Sequence, residues 1–173
     1  MEENPIRSIR IEKITLNIGC GDDKNKLEKA TKLLEYLTER KPLVTKSKRR
    51  STFGVAKGRP IGVMITLRGK GAEDFLRRAI EGVEKKLKAS QFDDQGNFSF
   101  GLKEYIDVPG VRYKHDIGMF GLDVVVTLKR AGFRIKWRRI QKRKIPAKHK
   151  INKEETMEWL KKNFGVELIE QKH

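Results

Sequence analysis

The chain has 173 residues and carries 40 Lys or Arg against 23 Asp or Glu, a net charge of +17. That length suits one domain, taken as 1–173, with a real core, and the charge points to a polyanionic partner rather than to any particular fold. One cysteine, Cys20, excludes an internal disulfide, and with no long apolar run and no secretory leader pattern the expectation is a cytoplasmic protein.

Along the chain, Ile14, Leu16 and Ile18 alternate with Thr15 and Asn17, which predicts a strand with one buried and one polar face. After the turn Gly19-Cys20-Gly21-Asp22-Asp23, Leu27, Ala30, Leu34 and Leu37 recur at helical spacing, with Pro42 just past the end. Leu43 to Lys48 and Ile61 to Arg68 read as extended segments that pair as a long hairpin. In the second, Ile61, Val63, Ile65 and Leu67 share one face, and Met64, Thr66 and Arg68 the other. Ala72 to Ala89 reads as a second helix. Its stripe is Leu76, Ile80, Val83 and Leu87, with Glu73 and Asp74 in the first turn and Lys85, Lys86 and Lys88 in the last, as the helix dipole favours.

Gly96-Asn97 signals a turn before the alternating Phe98, Phe100 and Leu102, and Leu122 to Leu128 is the strongest strand pattern in the chain. Phe133, Ile135 and Trp137 alternate with Arg134, Lys136 and Arg138, which suits an extended ribbon, with a helix as the alternative. Asn152 with Glu155 three residues on forms a capping box for a terminal helix over 153–164, closed by Gly165. This order lacks the regular alternation of a parallel sheet. The expected fold class is α+β: a mainly antiparallel sheet with helices packed on one face and a long basic hairpin loop.

The charge is concentrated. Arg40 to Lys70 holds ten bases and no acid, and Lys129 to Lys150 holds eleven and no acid, so the other 120 positions carry 19 bases and all 23 acids. Acid-free runs of this length fit a phosphate-backbone footprint better than a solvated surface. In an extended hairpin, Lys46, Lys48 and Arg50 would line one face with Arg68 beside them. At the tip, Gly54, Gly58 and Gly62 would let backbone approach a polynucleotide, while Phe53 either stacks on a base or tucks the loop onto the body. Thr15, Asn17 and Thr66 supply uncharged groups suited to 2′-hydroxyls and base edges.

Rival chemistries fail on spacing. Gly69-Lys70 is followed by Gly71 and has Met64 where a Walker loop requires its first glycine, and Asp74 stands where a dinucleotide fingerprint requires its third. His115, His149 and His173 are scattered, so no catalytic or metal site and no cofactor is assigned. Cys20 reads as a small turn residue, and Asp22-Asp23 and Asp93-Asp94 as backbone caps. Gly118-Met119-Phe120-Gly121 echoes the GxxG loop of KH domains but leads into a strand instead of joining two helices. Membrane association is disfavoured because the amphipathic helices and the basic runs are different segments.

KITLNIGCGDD, KPLVTKSK, PIGVMITLRG, FDDQGNFSFGLKEY and GLDVVVTL resemble, in order, the signatures of the large-subunit ribosomal protein five family, the universal 5S-rRNA-binding ribosomal proteins. The resemblance covers nearly the whole chain, and AKHKINKEE is similar to archaeal and eukaryotic members. One departure is Glu39-Arg40, where the family commonly has Gly-Gln. The resemblance implies a non-enzymatic constituent of the large subunit, seated in the central protuberance. It marks Asn17, Thr45, Lys46, Lys48, Arg49, Arg50, Thr66 and Arg68 as candidates for 5S rRNA contact. The protruding loop, through Phe53, Lys57 and Arg59, would reach the P-site tRNA. The basic extension over 129–152, through Arg134, Lys136, Arg138, Arg139, Lys142, Arg143, Lys144 and Lys148, would anchor large-subunit rRNA. Small-subunit protein thirteen is the implied partner at an intersubunit bridge. A free RNA chaperone or ribosome assembly factor is the alternative reading.

Overall fold

Alternation of apolar and polar residues in four strands builds a sheet with two unlike faces. The computed structural model describes residues 4–50 and 54–169. Its five-stranded sheet has the order β2-β3-β1-β6-β5, with β1 Arg10–Gly19, β2 Leu43–Lys46, β3 Pro60–Leu67, β5 Phe98–Leu102 and β6 Leu122–Lys129, and every neighbouring pair antiparallel. Ile14, Leu16 and Ile18 of β1, Val63, Ile65 and Leu67 of β3, and Val124, Val126 and Leu128 of β6 all point to one side and are buried. Helices α1 (Lys24–Thr38) and α2 (Lys70–Gly82) cover that side with Leu33, Leu34, Leu37, Phe75, Leu76 and Ile80, which join the strands in one core. The expected α+β architecture with helices on one sheet face is thus what the chain adopts.

Local chemistry explains the boundaries. Asp23 caps α1, its carboxylate accepting from the Asn25 and Lys26 amides at 2.9 and 3.3 Å. The capping aspartate anticipated in the turn is therefore present. Glu39 ends the helix in the left-handed region at φ 54°, a conformation that favours glycine at a helix C-terminus.

The second helix is shorter than its stripe suggests. It stops at Gly82, whose Cα lies so close to the Asp107 carbonyl that an added Cβ would sit 2.7 Å from that oxygen. Glu84 and Lys85 then take positive φ, and Lys86–Lys88 forms β4, parallel to β7 (Glu167–Ile169). Leu87 is buried as predicted, but from a strand, and Lys85, Lys86 and Lys88 do not terminate a helix. A hydrophobic stripe reports which residues are buried; it does not register a backbone turned by a glycine at a close approach.

Two further expectations change. β2 ends at Lys46, so Lys48 and Arg50 are not alternate residues of a strand. The ribbon over Phe133–Trp137 is instead a 3-10 turn, Phe133–Lys136, entered from Gly132 at φ 86°. The amides of Ile135 and Trp137 donate to the Gly132 and Arg134 carbonyls, which satisfies them locally where no strand edge is offered. The terminal helix α3 (Lys153–Phe164) begins and ends as read, with Gly165 in the left-handed conformation.

A Cβ-bearing residue in the left-handed region is strained. Glu39→Gly is expected to raise the unfolding free energy by about 1 kcal/mol, read as a higher urea midpoint at unchanged m-value.

Candidate nucleic-acid interface

The uncovered face of the sheet is a small, polar surface set out in register. Thr15 of β1 lies opposite Thr66 of β3 and Val125 of β6; Asn17 lies opposite Met64 and Asp123; Thr45 of β2 lies opposite Gly62. Thr15, Asn17, Thr45, Met64 and Thr66 are half-buried by their neighbours alone, and Leu43 and Val125 are exposed. The short side chains at most of these positions leave the sheet within reach of another chain. Asp123 puts one carboxylate toward β5, leaving the β2–β3 side of the face free of acid.

The same alternation places Lys13, half-buried, on this face two residues before Thr15. Extending the β1–β3 register by one step brings it toward the exposed Arg68, two cations at one end of the face. Lys13 was not among the residues singled out from the sequence. Its signal was there, in the period of two that identifies Thr15 and Asn17.

The β2–β3 hairpin continues from this face. Its ladder closes with the Ser47 amide on the Arg59 carbonyl and the Gly58 amide on the Ser47 carbonyl, both at 2.8 Å. Lys46, Lys48, Arg49, Arg50 and Lys57 are exposed, and none forms an ion pair with a carboxylate of the described residues. Arg59 differs: its guanidinium pairs with Asp22 of the turn after β1, so it braces the base of the hairpin. Phe53 lies outside the described residues. Gly54 and Gly58 take positive φ with open space around them, as a tip requires, but Gly62 does not serve the tip. A Cβ there would fall 2.8 Å from the Ile18 carbonyl and 3.1 Å from the Thr45 hydroxyl, so this glycine lets β1, β2 and β3 approach one another.

The second basic stretch is a loop tied at its neck. Arg130, nearly buried, donates to the Lys150 carbonyl at 3.1 Å and to the Glu155 carboxylate at 2.8 Å. His149 Nε2 lies 2.8 Å from the Ala131 carbonyl, and the His149 ring meets Phe133 edge-on. Farther out, the Arg143 amide donates to the Ile135 carbonyl, folding the loop on itself. Arg134, Lys136, Arg138, Arg139, Lys142, Arg143, Lys144 and Lys148 are all exposed, and none pairs with a carboxylate of the described residues. Arg130, counted with them in the sequence, is instead the structural anchor; a run of bases gives no sign of which member turns inward.

No cluster of three metal-ligating side chains occurs among the described residues. Burial pushes the Cys20 thiol above its ordinary value, and Asp23 adds to that effect over the opposing influence of Lys26, so the sulfur is no activated nucleophile. An acid-free, glycine-bearing hairpin beside an open polar sheet defines a polynucleotide-binding α+β protein.

Comparison with known proteins gives the family. Residues 4–55 match the profile described as ribosomal protein L5, and residues 60–159 match the ribosomal L5P family C-terminus. Proteins named large ribosomal subunit protein uL5 are similar along almost their full length. That of Sulfurisphaera tokodaii is 51% identical over 169 residues, 96% of each chain. That of Methanobrevibacter smithii is 46% identical, covering 96% of this chain and 98% of its own, and that of Nanoarchaeum equitans 46%, covering 96% and 99%. The chain belongs to the ribosomal L5P family, whose members are non-enzymatic RNA-binding components of the ribosome.

The anchor of the basic loop carries its own test. Burial alone would raise the Glu155 carboxyl, but the Asn152 amide at 3.1 Å and the Arg130 guanidinium outweigh it and hold the group below its ordinary value. Its stabilising contribution is therefore complete above the ordinary glutamate range and fades as pH falls through the lower folded value. Glu155→Gln should melt below the parent protein at neutral pH, and thermal scans should show that gap closing as pH falls from about 5 toward 3.

Proposed function

We propose that this protein is a structural constituent of the large ribosomal subunit that binds 5S rRNA across its open sheet face. The observation that carries the reading is the register on that face: Thr15, Asn17, Thr45 and Thr66 present hydroxyls and an amide, flanked by Lys13, Lys46 and Arg68. Short uncharged groups read 2′-hydroxyls and base edges, while the surrounding cations meet phosphates and release their counterions. Lys48, Arg49 and Arg50 extend the cationic row along the hairpin.

In this reading the protein is ribosome-associated in the cytoplasm and sits in the central protuberance; its relatives are named as large ribosomal subunit proteins. The hairpin tip, with Phe53 and Lys57, reaches the P-site tRNA, and Arg59 holds the tip in position through Asp22. Segment 129–152 anchors large-subunit rRNA through Arg134, Lys136, Arg138, Arg139, Lys142, Arg143, Lys144 and Lys148. Small-subunit protein thirteen is the neighbour across the intersubunit bridge.

Six to ten phosphate contacts would cost about 10³ to 10⁵ in affinity between roughly 50 and 200 mM salt. Lys46→Ala with Lys48→Ala should weaken 5S rRNA binding and lower the slope of log affinity against log salt by about 1.4 to 1.8, the share of two phosphates. The check is filter binding over a salt series, with a tRNA of matched length as competitor. Equal affinity for the two RNAs would sink the 5S assignment, and an unchanged slope would remove the two lysines from the site.

A further inference from the structure

Between the tied basic loop and the end of the sheet lies a cavity of about 590 Å³, within the size range of small-molecule sites. Its inner wall is apolar: Leu128 and Ile151 are buried, and Phe133 is held half-buried by its edge contact with His149. Its mouth is cationic, with Lys142, Arg143 and Lys144 exposed around it and Glu12 the one acid in the lining. Trp137 also lines the cavity and is 64% exposed, with the Lys136 ammonium 5.2 Å from its ring.

An indole left this exposed is a cost in water, whereas it is the best stacking surface a protein can offer a nucleobase. A fully paired duplex would meet only the cationic mouth, since its bases are already stacked. A base outside a helix can enter the cavity, stack on Trp137, bring its edge to the Gln95 amide, and leave its flanking phosphates among the mouth's lysines and arginines.

We infer that the cavity behind the basic loop captures one unpaired nucleotide of an RNA, with Trp137 as the stacking platform. This rests on the chain being an RNA-binding protein and adds to it a preference for an RNA that carries a bulged or looped-out base at this contact. The electrostatic anchoring by the loop's cations and the stacking by Trp137 are separable, because only the first responds to salt.

The test uses the full chain carrying Trp159→Phe, which leaves Trp137 as its single tryptophan. It is titrated with a short RNA duplex bearing one unpaired adenosine and with the same duplex fully paired. The bulged duplex is expected to quench Trp137 emission and to bind about 5- to 150-fold more tightly than the paired one. Trp137→Ala should erase that difference without altering the salt slope or the melting temperature, and Trp137→Phe should keep most of it. Equal affinity for the two duplexes with no quenching would overturn the inference, as would equally strong quenching by adenosine monophosphate alone. The Lys46→Ala, Lys48→Ala protein should discriminate the two duplexes as the parent does. A parent protein that shows no preference for 5S rRNA over tRNA yet still discriminates the two duplexes counts against the 5S assignment alone, and one that prefers 5S rRNA without discriminating the duplexes counts against the cavity alone.

Discussion

The structure depends on one-sided burial of the central strand. β1 lies between β3 and β6, and its Ile14, Leu16 and Ile18 are 0 to 2% exposed beneath the two long helices. The pleat then forces Lys13, Thr15 and Asn17 onto the opposite side. A slip of one residue would exchange the two sets, placing a lysine and an asparagine in an apolar core. The hydrophobic effect that fixes the register therefore also fixes the composition of the open face, and no separate device is needed to display it.

The hairpin and the basic loop extend that surface in different ways. The hairpin holds its shape through backbone ladder bonds and the brace from Asp22 to Arg59, which leaves its remaining bases without acid partners among the described residues. The basic loop is secured by a buried guanidinium that draws together a carbonyl and a carboxylate from α3 and the segment before it. One Glu155 oxygen accepts from both Arg130 and the Asn152 amide, so the helix start and the loop neck are organised by the same charge. Losing that carboxylate would leave the nearly buried Arg130 with only the His149 and Lys150 carbonyls as acceptors, a larger penalty than losing a surface pair.

Unpaired like charges on two acid-free segments oppose folding in isolation, since each base repels its neighbours. Such an arrangement is stable because the core beneath it is large and one-sided. It is useful because a polyanion converts the repulsion into attraction on binding. The exposed apolar groups, Leu43 and Val125 on the sheet and Trp137 and Ile140 on the loop, fit a surface that is covered in use.

By itself the sequence determined the strands of the main sheet, both long helices, the terminal helix with its caps, and the two concentrations of charge. Each of these follows from local periodicity or composition, which are properties of neighbouring residues. Tertiary structure decided where α2 stops, because Gly82 meets a carbonyl 25 residues away in the chain, and it turned Leu87 into a strand residue. It also decided that Arg130 faces inward, that Arg59 is engaged by Asp22, and that Gly62 lets neighbouring strands approach closely instead of serving the tip. Each of these outcomes depends on contacts between residues distant in sequence, and a one-dimensional pattern of charge and hydropathy carries no information about which distant groups will meet.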